Sequence, residues 1–172
     1  GSGNAGLTNA YRTMGAAKTL LVLLGDIAKA AAALAIGGML AGMMGKLVAG
    51  IFVILGHVFP VYFGFRGGKG VLVGATMLVF LDWRIFLVAL VLFVAAVAIT
   101  KWVSLGSILG AISFPVTMQI FYGDVRLTVV AALMAAAVVF MHRSNVKRIL
   151  SGTENKFSFH AKPQITKDTD KK

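Results

Sequence analysis

The chain has 172 residues and a formal net charge of +11, and 58% of its residues are hydrophobic while only 13% are charged. A soluble domain of this length carries about 25% charged residues, so the composition indicates an integral membrane protein. Because the chain has no cysteine, disulfides, thiolate catalysis and cysteine-ligated metals are excluded. The chain has six carboxylates in all, too few to favour a carboxylate metal site, and we expect neither a metal nor a cofactor.

The positive charge lies at the ends of the apolar segments and in the C-terminal tail. This distribution is typical of membrane topology and of contact with anionic lipid headgroups. We therefore expect membrane lipids, and no nucleic acid, as partners.

A helix needs about 20 largely apolar residues to cross a bilayer. The sequence predicts an all-α, polytopic helix bundle with six spans in a single domain over residues 1–156, followed by a polar, mobile cytoplasmic tail over 157–172. In chain order, the predicted spans are 18–40, 46–62, 70–81, 85–99, 105–122 and 127–141. The third is short, so it must tilt, thin the bilayer, or continue into the loop before it.

Three polar segments interrupt this pattern: GSGNAGLTNAYR over 1–12, HVFPVYFGFRGGKG over 57–70 and HRSNVKRILSGTENK over 142–156. An even number of predicted spans separates each from the next, so all three emerge on one side of the membrane. Most of the 17 lysines and arginines lie on that side as well. Positive residues stay cytoplasmic, so we expect the three segments to face the cytoplasm.

The second polar segment ends in Arg66, Gly67, Gly68, Lys69 and Gly70, directly before an apolar helix. Helix N-termini attract phosphate, and glycines let the backbone approach an anion closely. Arg66 can bind such an anion bidentately and Lys69 can supply a point charge. The alternative is a basic cytoplasmic loop without a ligand. The segment is not a P-loop, because the required spacing is missing.

Three further ionisable residues lie within or beside the first two spans. His57 precedes a proline at a helix end, and we favour a buried histidine satisfied by a carbonyl over a catalytic one. Asp26 and Lys29 are three residues apart and share a helix face. A structural ion pair is the favoured interpretation, with a role in a substrate cavity as the alternative.

The first polar segment places Ser2, Asn4, Gly6, Thr8 and Asn9 on a glycine-rich backbone. Small hydroxyl and amide groups of this kind form good anion-binding nests. Arg12 follows Thr8 by about one helical turn and could point the same way. The alternative is a flexible terminus.

The third polar segment begins where an apolar helix ends. His142 and Asn145 share a helix face, as do Ser144 and Arg148. Histidine and asparagine could orient a hydroxyl or a phosphate. A basic helix lying against headgroups is an equal alternative.

Taken together and in order, the three segments resemble the motifs of the bacterial PlsY family, the acyl-phosphate:glycerol-3-phosphate acyltransferases. The resemblance covers most of the chain. It implies that Ser2, Arg12, Lys69, His142 and Asn145 surround glycerol 3-phosphate and the reacting centre. It further implies that Asn4, Gly6, Thr8, Gly67 and Gly68 hold the acyl phosphate. We add Asn9, Arg66, Gly70 and Arg148 as expected substrate-binding residues.

The resemblance implies transfer of a fatty acyl group from acyl phosphate to the sn-1 hydroxyl of glycerol 3-phosphate in phospholipid synthesis. It implies the bacterial inner membrane as location, an active site on the cytoplasmic face, and a partner enzyme that makes acyl phosphate. We expect a monomer. The family has seven spans with a helix ahead of the first motif, so we expect this chain, which begins at Gly1, to lack that helix.

The reaction suits a chain without cysteine, since an acyl phosphate carries a good leaving group and needs no covalent intermediate. Three routes for the proton stay open: His142 as base, Ser2 as nucleophile, or phosphate as acceptor. Two other functions also stay open. A transporter of a phosphorylated metabolite would need similar cations, and a structural lipid-binding bundle would use the segments as headgroup contacts.

Overall fold

The structure is a computed structural model that describes residues 6–157, apart from the side chains of Thr8, Arg12 and Phe63. Its elements are helices, and no strand occurs in that range. In chain order they are α1 (Leu7–Val58), a short 3-10 turn (Val61–Phe63), α2 (Val71–Leu81), α3 (Trp83–Thr100), α4 (Val103–Tyr122), α5 (Val125–Met141) and α6 (Arg143–Leu150). The predicted all-α membrane bundle is confirmed.

Helix α1 is a hairpin of two antiparallel arms, because the backbone leaves helical geometry at Ala41 and at Gly42, which has a positive φ of 56°. The carbonyl oxygen of Gly45 lies where a side chain on Gly37 would stand, so the arms touch directly after the reversal. The arms stay together as far as the end of the second arm, where His57 Nδ1 lies 3.4 Å from Asp26 Oδ1 in the middle of the first. A straight helix would hold these two residues about 46 Å apart.

The remaining helices pack mainly against their neighbours in sequence: α2 against α1, α3 against α4, and α4 against α5. The largest fully buried side chains of the described core come from four different helices and include Leu34, Leu47, Val73, Ile85 and Met118. Asp82 and Asp124 begin α3 and α5 by accepting hydrogen bonds from the amides of Arg84 and Arg126, at 2.9 and 2.8 Å. Aspartate caps therefore start the helices that follow the short connections α2–α3 and α4–α5.

Five of the six predicted apolar segments are helical almost throughout, and the segment 46–62 is helical up to Val58. The number of membrane crossings stays a prediction. Three helices are long and apolar enough to span a bilayer within the described residues: Thr13–Val58, Trp83–Thr100 and Val103–Tyr122. A fourth results if α5 and α6, bent by 56°, count as one span. Helix α2 has 11 residues, about 16 Å at 1.5 Å per residue, and is too short to cross alone. The division into a domain over 1–156 and a tail also stays a prediction.

Candidate active site

The described parts of the three polar segments meet at one cavity of about 840 Å³. The first segment contributes Gly6, Leu7 and Asn9 to its lining, and the second contributes His57, Lys69 and Gly70. The third contributes its two polar pairs and the residues after them: His142, Ser144, Asn145, Arg148, Glu154, Asn155 and Lys156. Segments far apart in the chain thus line one cavity, an arrangement compatible with their predicted position on one side of the membrane.

The bend between α5 and α6 places the third segment over the cavity. His142 ends α5, and its amide donates to the carbonyls of Val138 and Val139 at 3.2 and 2.9 Å. Helix α6 then departs at an angle of 56° and carries Asn145 and Arg148 to the cavity wall. A straight continuation of α5 would have carried both away from Lys69.

A network of charged and amide groups forms the polar end of the cavity. Lys69 Nζ donates to Asn145 Oδ1, and Asn145 Nδ2 donates to Glu154 Oε1 at 2.7 Å. Ser104 Oγ donates to the same carboxylate oxygen at 2.7 Å, while Arg148 Nε donates to Glu154 Oε2 at 2.7 Å. The Glu154 side chain is only 6% exposed, and it joins α4 to α6 from inside the site.

Burial would raise the pKa of Glu154, but the hydrogen bonds from Asn145, Ser104 and Arg148 and the charge of Arg148 hold it below its usual range. The pKa of Lys69 is also lowered, chiefly by burial and then by repulsion from Arg148, with Glu154 acting in the opposite direction. The Glu154 carboxylate is therefore ionised. The site makes the charged form of Lys69 less favourable than it is in water.

His142 is 2% exposed and lines the cavity. Its Nδ1 lies 2.8 Å from the carbonyl oxygen of Val138. A carbonyl only accepts, so Nδ1 carries the proton and donates it to this bond, which leaves the lone pair on Nε2. The backbone therefore fixes a tautomer that can accept a proton from a substrate.

A second polar cluster lines the cavity with Asp26 and His57. Lys29 Nζ lies 2.5 Å from Asp26 Oδ1 and 3.1 Å from His57 Nδ1. The predicted Asp26–Lys29 ion pair is present. We expected a carbonyl group to satisfy the His57 ring. For Nδ1 this expectation is wrong, because the α1 hairpin brings Lys29 to that nitrogen. The same hairpin gives the pair a position at the cavity.

Residues 66–70, the glycine loop, are held by the end of α1. The amide of Gly67 donates to the Val58 carbonyl at 3.1 Å, and that of Gly68 donates to the His57 carbonyl at 3.2 Å. Neither glycine lines the cavity, and Arg66 is exposed outside it. A direct role of Arg66, Gly67 and Gly68 in substrate binding therefore stays a prediction that this arrangement does not favour.

Other predicted residues divide by location. The structure brings Gly6, Asn9, Lys69, Gly70, His142, Asn145 and Arg148 to the cavity. Ser2 and Asn4 lie outside the described residues, as do the side chains of Thr8 and Arg12, so their roles stay predictions.

Two site residues were missed at the sequence level. Glu154 is the single acidic residue in the basic segment 142–156. This isolated negative charge was the signal that could have identified it as a site residue. Ser104 is the second residue of α4. Nothing in the neighbouring sequence distinguishes it from other serines at the start of a helix. Within residues 6–157, no group of three or more histidine, cysteine or acidic side chains could hold a metal ion.

Away from these two polar clusters, the cavity lining is mostly apolar. Its lining continues along α2, α3, α4 and α5 and includes Leu78, Phe86, Phe114 and Met134. A membrane-embedded helix bundle with a cationic, amide-bearing site that opens into an apolar cavity defines a class: a membrane protein that handles an anion together with a hydrocarbon chain.

The chain belongs to the glycerol-3-phosphate acyltransferase family, whose model matches residues 1–152. It is therefore an acyltransferase of the membrane, and the predicted family membership is confirmed. A glycerol-3-phosphate acyltransferase of Thermoanaerobacter sp. (strain X514) is 40% identical over 156 residues, which cover 91% of this chain and 79% of that protein. One of Bacillus subtilis (strain 168) is 39% identical, with 91% and 80% covered.

Two solved structures share the fold. They are crystal structures of PlsY (YgiH), an integral membrane glycerol 3-phosphate acyltransferase, in a glycerol 3-phosphate form and a lysophosphatidic acid form. The first is 30% identical with a TM-score of 0.82, and covers 92% of this chain and 80% of that one. The second is 31% identical with a TM-score of 0.82, and covers 91% and 81%.

Proposed function

We propose that the chain transfers a fatty acyl group from an acyl phosphate to the sn-1 hydroxyl of glycerol 3-phosphate. The products are 1-acyl-glycerol 3-phosphate and inorganic phosphate, released in the first committed step of phospholipid synthesis at the cytoplasmic face of the inner membrane. The observation that carries this proposal is a single cavity in which Lys69, Arg148, Asn145 and His142 lie at one end and apolar side chains at the other.

In this reaction the sn-1 oxygen attacks the acyl carbon, and the bond from that carbon to the phosphate oxygen breaks. Phosphate leaves with the electron pair, and the hydroxyl proton passes to a base. Lys69 and Arg148 are suited to neutralise the charge on the phosphate groups, because preorganised cations in a site shielded from water act strongly on developing charge. Asn145, tied to Lys69 and Glu154, is suited to orient a phosphate or hydroxyl.

His142 is the proposed proton acceptor, since its backbone bond leaves Nε2 as the basic nitrogen and the residue lines the cavity. Two alternatives remain: phosphate itself can accept the proton, and Ser2 can take part as a nucleophile. A partner enzyme that supplies acyl phosphate and a monomeric state complete the proposal.

The donor is tested with purified protein in lipid nanodiscs, supplied with radiolabelled glycerol 3-phosphate and either palmitoyl phosphate or palmitoyl-CoA. We expect labelled acyl-glycerol 3-phosphate and equimolar phosphate only with palmitoyl phosphate. Product from palmitoyl-CoA alone would refute the acyl-phosphate donor. No product with either donor, combined with uptake of glycerol 3-phosphate into vesicles, would favour a transporter.

The site is tested with Lys69→Ala, Arg12→Ala and Arg148→Ala. Each removes a cation proposed to bind phosphate, and we expect roughly 100-fold or greater losses of kcat/KM, as for other groups that stabilise transition-state charge. Lys147→Ala is the matched control, because Lys147 neighbours Arg148 on α6 but is exposed outside the cavity. Equal activity in Lys69→Ala and Lys147→Ala would refute the proposed site.

A further inference from the structure

One face of helix α2 runs from the polar end of the cavity towards its apolar end. Gly70, next to Lys69, Gly74 and Leu78 all line the cavity. They follow one another at intervals of one helical turn, and the Gly74 amide donates to the Gly70 carbonyl at 2.7 Å. At 1.5 Å per residue, Gly74 lies about 6 Å and Leu78 about 12 Å deeper than Gly70.

Gly74 differs from the glycines at which helices pack. A side chain on Gly106 would stand 2.8 Å from the Phe93 carbonyl oxygen, and one on Gly50 would collide with the Met77 side chain. A β-carbon on Gly74 meets no heavy atom within 4 Å. Glycine is less favourable than alanine inside a helix, yet no neighbouring atom in the described structure would exclude a β-carbon at this position. What glycine leaves at this position is open space in the cavity.

The deep end of the cavity lies at a similar depth on the other helices. Phe114 is ten residues beyond Ser104 on α4, about 15 Å along the helix, and Met134 is eight residues before His142, about 12 Å. Leu78 lies in the last turn of α2 and Phe86 in the first turn of α3, both far from Lys69. We call these four lining residues the floor of the cavity. Gly74 therefore lies about halfway between the polar network and this floor.

We propose that Gly74 is a specificity-determining residue, whose missing side chain leaves the passage through which a long acyl chain reaches the floor of the cavity. This inference rests on the proposed function. A donor whose chain ends before Gly74 does not need the passage, whereas a fatty acyl chain does. Position 74 therefore governs which chain lengths are accepted, without touching the reacting atoms.

The experiment compares Gly74→Leu with wild type, using butyryl phosphate as the short donor and palmitoyl phosphate as the long one. Leucine is a good helix former, and the open space accommodates its first carbon. We expect the ratio of kcat/KM for butyryl over palmitoyl phosphate to rise roughly tenfold or more, the size of effect that hydrophobic pockets impose on chain length. Butyryl transfer itself should stay within about twofold of wild type.

Gly56→Leu is the matched control. Gly56 is also helical, and a β-carbon added there would meet no heavy atom within 4 Å, but the residue is exposed and outside the cavity. Its donor ratio should equal that of wild type. Gly74→Ala provides a smaller step in the same direction, and it decides the matter if the leucine variant does not fold.

Unchanged donor ratios in the position 74 variants would overturn the inference, as would equal losses with both donors. A wild-type protein that transfers neither acyl group would instead overturn the proposed function. The two failures are therefore distinguishable.

Discussion

His57 and Gly68 are in direct contact: the His57 ring nitrogen Nε2 lies where a side chain on Gly68 would stand. The His57 carbonyl also accepts the Gly68 amide at 3.2 Å. The ring is held from its other side by Lys29 and Asp26. Since Lys69 follows Gly68 directly, this contact fixes the place from which the lysine enters the site.

Gly68→Ala should therefore reduce acyl transfer. Its methyl group would collide with the His57 ring and shift the loop, and a displacement of about 1 Å can cost roughly 100-fold in rate. Steady-state kcat/KM is the measurement. Gly56→Ala adds the same methyl group in open space and should be silent. Wild-type kinetics in Gly68→Ala would show that the contact does not position Lys69.

The lowered pKa of Lys69 predicts an alkaline limit to activity. The ammonium loses its proton as pH rises through the folded-state pKa, which burial and Arg148 place below the ordinary value. If the charged form binds phosphate, kcat/KM should fall on the alkaline side at a pH below about 10.4, the value for an exposed lysine. Arginine stays protonated throughout this range, so residual activity of Lys69→Arg should lack that decline. An identical alkaline decline in both proteins would assign it to another group.

Glu154 should be needed for both stability and activity. Its removal in Glu154→Ala leaves Arg148 without its carboxylate partner and Asn145 without an acceptor, and an unsatisfied buried group costs about 1–3 kcal/mol. We expect a lower midpoint of thermal unfolding and a loss of transfer. Glu154→Gln keeps the shape of the side chain and one acceptor oxygen. Its unfolding midpoint should therefore lie between those of wild type and Glu154→Ala. A midpoint for Glu154→Ala equal to that of wild type would contradict this role.

Asp82 should affect stability without affecting catalysis. Hydrogen bonds from Arg84 lower its pKa to about 2 against the opposing effect of burial, and the Tyr122 hydroxyl adds a further bond at 3.0 Å. Because the folded-state pKa is depressed, this stabilisation is fully present above the unfolded value of about 3.9 and is lost as pH falls towards 2.

Asp82→Asn should therefore unfold at a lower temperature than wild type at pH 7, and the difference should shrink with acidification. Its kcat/KM should match wild type, since Asp82 lies at the C-terminal end of α2, beyond the cavity floor. Asp124→Asn is the control, because the Asp124–Arg126 pair is more exposed and exposed pairs contribute little. Equal unfolding midpoints for Asp82→Asn and wild type would rule out this role.

The sequence by itself determined the class of fold and much of the polar site. Apolar runs of the right length predict membrane helices. Because an even number of these helices separates the three polar segments, the segments are predicted to share one side of the membrane. Both predictions need only the order of residues along the chain. Residue type and position beside a helix end also made Lys69, His142, Asn145 and Arg148 candidates, and the family resemblance then favoured a substrate site over a basic surface.

Only the tertiary structure decided which groups meet. Lys69 and Asn145 are 76 positions apart, and Ser104 and Glu154 are 50 apart, so no local pattern records their contact. The folding back of α1 placed His57 against Asp26 and Lys29. The loop after α1 then turned the Gly67 and Gly68 amides towards carbonyls at the end of that helix. Such contacts depend on how whole helices pack, because packing fixes distances between residues whose separation along the chain leaves those distances undetermined.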